Sequence, residues 1–121
     1  MIFLASPYSH PERTVREDRF LAAALIAGKY ILKGYNVFSP ISHSHPIYEL
    51  VPETGESWVS WEAINHEMID NSSEVWVLCL DGWERSGGIA NEIIYAGDTG
   101  KPVKFLAANG EFIDDPRNRL Q

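Results

Sequence analysis

The chain has 121 residues, 45% of them hydrophobic and 22% charged, and a net charge of −7. These values fit a single globular domain over residues 1–121 and exclude a largely disordered chain. The acidic balance also excludes a general nucleic-acid binder, which needs a basic face, but leaves room for one small anion held by a local arginine cluster.

No apolar run approaches the roughly 18 residues of a membrane span, so no membrane partner is expected. The opening MIFLASPY lacks the charged flank of a signal peptide. Cys79 is the single cysteine and sits inside VWVLCL as a small core residue. One cysteine cannot staple the fold, which suits a reducing, cytoplasmic setting.

In chain order, IFLAS (2–6) is a continuous apolar run, as in a strand covered on both faces. Ser9-His10-Pro11-Glu12 fits a capping box with Ser9 as N-cap. The helix it opens is expected to run to about Leu32, with Leu21, Leu25, Gly28 and Leu32 as its core stripe and Gly34 as its stop. YNVF (35–38) is a second strand. Residues 41–56, with two prolines and a glycine, read as a long loop holding at most one helical turn. A helix over about 57–70 follows, with Trp58, Trp61, Ile64, Met68 and Ile69 on one face. VWVLCL (75–80) is a third strand, 86–98 a third helix, PVKFL (102–106) a fourth strand, and NGEFI (109–113) a turn with a short edge strand.

Strands alternating with helices predict an α/β fold: a small doubly wound, flavodoxin- or Rossmann-like sheet of four to five mostly parallel strands with helices on both faces. Ligands of such folds bind outside the carboxyl ends of the strands. The polar turns collect there: SPYSH (Ser6, Pro7, Tyr8), SPISHSHP (Ser39, His43, His45) and DGWERSGG (Asp81, Trp83, Ser86, Gly87, Gly88).

On helix 86–98, Glu92 falls within about 60° of Ile89, on the side that also holds Ala96, whereas Asn91 lies about 160° away. A carboxylate on the apolar arc is costly unless paired or used. Near a helix N-terminus it is expected to be ionised and suited to act as a nucleophile or general base. A cap or an arginine partner is the equally available structural reading. Gly87 and Gly88 allow close approach of a ligand and offer N–H groups to an anion, although no standard nucleotide fingerprint is present. His66 and Asp70, four apart, share a helix face and suit an acid/base pair. Arg13, Arg16 and Arg19 form a basic stripe for a phosphate. Trp83, in a glycine-containing turn, is the tryptophan left for stacking on a ring, since Trp58 and Trp61 read as core. His43, His45, His66 and Asp70 lack a tight ligand spacing and no cysteine joins them, so neither a metal nor another cofactor is expected.

FLASPYSH, SPISHSHPI and LDGWERSGGIANEIIYA together resemble an uncharacterised bacterial and phage family. That family is similar to the nucleoside 2-deoxyribosyltransferases and the 2'-deoxynucleoside 5'-phosphate N-glycosidases. The resemblance implies that Glu92, in the pattern Gly88-x-x-x-Glu92-x-x-x-Ala96, is the nucleophile at the anomeric carbon. It also implies an acid on the preceding helix, at His66 or Asp70. Phe3 stands where those enzymes have a tyrosine, and Tyr8 takes that place. Those enzymes complete their sites from a neighbouring subunit, which implies a homo-oligomer, dimer or tetramer. Two functions are therefore carried forward: an N-glycosidase or deoxyribosyltransferase acting on a nucleoside or nucleotide, and a non-catalytic nucleotide sensor on the same scaffold.

Overall fold

The computed structural model describes residues 1–120. Five strands, β1 (Ile2–Ala5), β2 (Val37–Phe38), β3 (Glu74–Leu78), β4 (Val103–Leu106) and β5 (Phe112–Ile113), form one sheet in the order β2-β1-β3-β4-β5. All pairings are parallel except β4 with β5. The fold is the doubly wound α/β sheet that the alternation of elements predicts.

Side chains alternate between the two faces of each strand. Ile2, Leu4, Trp76, Leu78 and Leu106 pack against Ile26, Ala27 and Tyr30 of α1 (Arg13–Leu32). Phe3, Ala5, Val75, Val77 and Phe105 pack on the other face against Ile69 of α3 (Trp61–Asp70) and Ile89 and Ala96 of α4 (Gly87–Asp98). Phe3, Leu4, Val75 and Val77 are wholly buried, which explains the unbroken apolar runs.

Four expectations are corrected. Ser9 does not cap α1: the N-cap is Glu12, whose N–H donates to His10 Nδ1 at 3.0 Å. The stripe Leu21, Leu25 and Leu32 faces outward, 54%, 58% and 90% exposed, while Ala23, Ile26, Ala27 and Tyr30 face the sheet. Both stripes have helical spacing, so periodicity could not choose between them. Small Ala23 and Ala27 let the helix lie close, and the Tyr30 hydroxyl donates to Gly110 O at 2.5 Å, fixing the rotation.

Much of the expected loop 41–56 is helix α2 (Pro40–Leu50), followed by a 3-10 turn over Pro52–Gly55. Ser39 caps α2 by accepting from Ser42 N–H at 3.2 Å, and Pro40 occupies the first helical position, where its missing N–H costs nothing. Pro46 is carried inside the helix. Finally, α3 begins at Trp61 with Ser60 as its cap, leaving Trp58 outside it and 80% exposed.

Candidate functional site

A cleft of about 930 Å³ opens beyond the carboxyl ends of β1 and β3, bounded by α2, α3 and the start of α4. That volume suits a small-molecule ligand. Of the residues singled out from sequence as site candidates, Ser6, Tyr8, Arg16, Arg19, Ser86, Gly87, Gly88 and Glu92 line it.

Glu92 is 6% exposed and is buried on α4 beside Ile89 and Ala96, where the helical wheel places it. Its Oε2 accepts from Asn65 Nδ2 at 3.2 Å. Burial pushes the carboxyl up to about 8, against a smaller opposing effect of the Asn65 amide. Burial thus works against the ionised state expected from the helix start. Glu92 lies more than one turn into α4, beyond the reach of the helix N-terminus.

Ser6 Oγ, just past β1, is buried on the cleft wall and has no hydrogen-bond partner among the described residues. Ser86 caps α4 by accepting from Ile89 N–H at 3.2 Å. The first-turn N–H groups of Gly87 and Gly88 have no partner within the helix. A Cβ at Gly87 would meet nothing within 4 Å, so the space in front of this helix start is open. Arg19 and Arg85 join Arg16 on the cleft. Arg16 donates to His10 O at 2.6 Å, and Arg19 to Ser9 O and Asp81 O, both at 3.0 Å. These bonds tie the SPYSH turn to the turn after β3. Gly82, at φ +87°, is where two guanidinium groups converge: a Cβ there would stand 2.8 Å from Arg19 Nη2 and 3.6 Å from Arg85 Nη2.

Tyr8 faces the cleft, and its hydroxyl lies 2.6 Å from His45 Nδ1. His45 is 3% exposed and sits behind it, stacked on Phe20 with ring centroids 4.5 Å apart. Its Nε2 lies 3.1 Å from Glu17 Oε2. Burial is the main cause that raises the Tyr8 phenol, with Arg16 opposing it.

Other expected site residues are placed elsewhere. Asp70 is exposed at the far end of α3, where it accepts from the Tyr95 hydroxyl at 2.6 Å. His66 stacks on Tyr95 at 3.8 Å and bonds Asn91 Oδ1 at 2.7 Å, outside the cleft wall. Both meet α4 on its outer side, at Asn91 and Tyr95, whereas Asn65 reaches Glu92 and Ile69 packs into the core beneath. Arg13 is exposed and bonded to Glu49 at 2.8 Å, which lowers the Glu49 carboxyl. Pro7 and Ser39 are buried, Ser39 as the α2 cap. His43 is exposed, with its ring edge-on to Trp61. Asp81 offers its carbonyl to Arg19 and leaves its side chain exposed. The tryptophans exchange roles: Trp83 packs on Phe105 in the core, whereas Trp61 lines the cleft and donates to Thr54 O at 2.9 Å.

Sequence reasoning missed Asn65 and Arg85. Asn65 had a signal, since it shares the i, i+4 row of Trp61 and the fully buried Ile69. Among the described residues, His43, His45 and His66 form no common ligand cluster. Among the described residues, Glu17, His45 and Glu49 bring ligand atoms within 4.8 Å of one another, with Arg13 already holding Glu49. Also among the described residues, no helix is long and apolar enough to cross a membrane.

No curated protein matches the chain. Residues 1–108 match the model of a family described as a domain of unknown function (DUF1937), and the chain belongs to that family.

Proposed function

We propose that this protein is an N-glycosidase or deoxyribosyltransferase acting on a deoxynucleoside or, by preference, a deoxynucleoside 5'-monophosphate, with Glu92 as nucleophile. The observation that carries this reading is a buried, proton-bearing carboxyl on the wall of a nucleotide-sized cleft. Cleavage with a carboxyl nucleophile consumes that proton. The carboxylic acid and the N-glycoside become a glycosyl ester and a protonated free base; water or a second base then releases the sugar.

The remaining parts support a nucleotide. Arg16, Arg19, Arg85 and the open start of α4 offer positive charge and N–H donors to a phosphate. The resemblance of the turn after β3 and of the Gly88-x-x-x-Glu92-x-x-x-Ala96 pattern to the 2-deoxyribosyltransferase enzymes supports the same chemistry. A homo-oligomer belongs to this reading, supported by the exposed stripe Leu21, Leu25 and Leu32 of α1; Leu25→Glu would then lower the sedimentation coefficient. A cytoplasmic setting also belongs to it, supported by the unpaired thiol of Cys79.

Assay of free base from a panel of deoxynucleoside 5'-monophosphates tests the reading. Wild type releases base and Glu92→Gln does not. Base release that survives Glu92→Gln would remove Glu92 as nucleophile.

The positions of Asp70 and His66 outside the cleft favour the second reading, a nucleotide sensor. It requires thermal stabilisation by a deoxynucleotide without turnover, retained in Glu92→Gln.

A further inference from the structure

We propose that Tyr8, His45 and Glu17 form a proton relay running from the cleft to the surface, with Tyr8 as the acid–base group of the reaction. The proposal rests on the glycosidase reading and supplies what that reading lacks. With Asp70 and His66 elsewhere, the second carboxyl on the cleft is Glu62, whose side chain is 63% exposed.

The chain is built like a hydroxyl–imidazole–carboxylate triad with a phenol in first place. His45 Nε2 lies 3.1 Å from Glu17 Oε2 and Nδ1 2.6 Å from the Tyr8 hydroxyl, so the tautomer that donates to the Glu17 carboxyl at Nε2 accepts from Tyr8 at Nδ1. The imidazole sits between the Phe20 ring, stacked on it, and the edge of Tyr8. Glu17, with a side chain 44% exposed, meets solvent at the outer end. A buried histidine joined at both nitrogens costs desolvation that apolar filling of the same space would avoid.

The steps balance. The Glu92 proton enters the relay as Tyr8 takes one at oxygen and passes its own to His45 Nδ1, leaving a carboxylate and an imidazolium beside Glu17. The Glu92 oxygen then bonds the anomeric carbon while the C–N bond breaks, its electron pair leaving with the base. Tyr8 protonates that base and regains a proton from His45. In the second half the relay accepts a proton from water, the water oxygen bonds the anomeric carbon, and the ester electron pair returns to Glu92. The relay then returns its proton to Glu92. The sum is nucleotide plus water giving base plus sugar phosphate. Tyr8 is the catalytic residue; His45 and Glu17 act through it as positioning residues.

A leaving-group comparison separates this role from packing. The probes are a deoxynucleoside 5'-monophosphate and the 5-phosphate of nitrophenyl 2-deoxyriboside, whose leaving group departs without a proton. Both probes need the relay to take the Glu92 proton, but only the nucleotide needs a proton on its leaving group, so Tyr8→Phe is expected to lower kcat/KM on both, with a loss at least about tenfold larger on the nucleotide. Glu17→Gln, at a half-exposed position that tolerates change, is expected to shift the same ratio in the same direction. Equal losses on both probes, or no loss on the nucleotide, would overturn the relay while leaving the glycosidase reading intact. A wild type that releases neither leaving group overturns both.

Discussion

The Asn65 amide stands 3.2 Å from Glu92 Oε2, joining α3 to the buried face of α4 at the floor of the cleft. This bond is the one influence that draws the Glu92 carboxyl down against burial. Asn65→Leu is therefore expected to raise it further, above about 8, as read by carbon NMR of labelled glutamate. An unchanged titration would show that the amide does not stabilise the carboxylate.

Glu92 also sets a pH dependence of stability. Its ordinary value is 4.5 and its folded value about 8, so between these limits the folded state keeps a proton that the unfolded state sheds. Stability is then full below pH 4.5 and is lost as pH rises towards 8, with a slope approaching about 1.4 kcal/mol per pH unit. Glu92→Gln removes this decline. Urea unfolding from pH 5 to 8 should show the variant gaining steadily on wild type; parallel curves would contradict a buried neutral carboxyl.

The fold was legible where one face of an element has one purpose. β1 and β3 are buried on both sides and read as unbroken apolar runs; α4 has one apolar arc, and Glu92 was found on it. Legibility failed where two patterns compete. In α1 two opposite stripes share the helical period, and only packing against Trp76 and the bond to Gly110 choose between them. In α2 the prolines argued for a loop, yet Ser39 and Pro40 are a helix start. The cleft was legible as a rim of three turns, with Tyr8 and His45 among its residues, but the contact between these two was not. Tyr8 and His45 lie 37 positions apart and meet only through the docking of α2 on α1 and β1.

Ser39→Ala removes both the acceptor for Ser42 N–H and the partner of the Ser42 hydroxyl at 2.9 Å. The expected cost is about 1 kcal/mol or somewhat more, measured by denaturant unfolding. A cost near zero would mean that α2 holds without its cap.

Gly82→Ala places a methyl against Arg19 Nη2 on a residue with φ of +87°. The backbone strain costs on the order of 1 kcal/mol, and displacement of Arg19 should weaken binding of a deoxynucleoside 5'-monophosphate more than that of the nucleoside. Calorimetry with both ligands checks this. Equal weakening would place the phosphate away from the Arg19–Arg85 pair.

Mass spectrometry of the Glu92 peptide, after incubation with a 2-fluorinated deoxynucleoside 5'-monophosphate that slows loss of the sugar, tests the nucleophile directly. The expected result is a sugar-phosphate adduct on Glu92 in wild type and none in Glu92→Gln. Base release by wild type with no adduct on that peptide would contradict it.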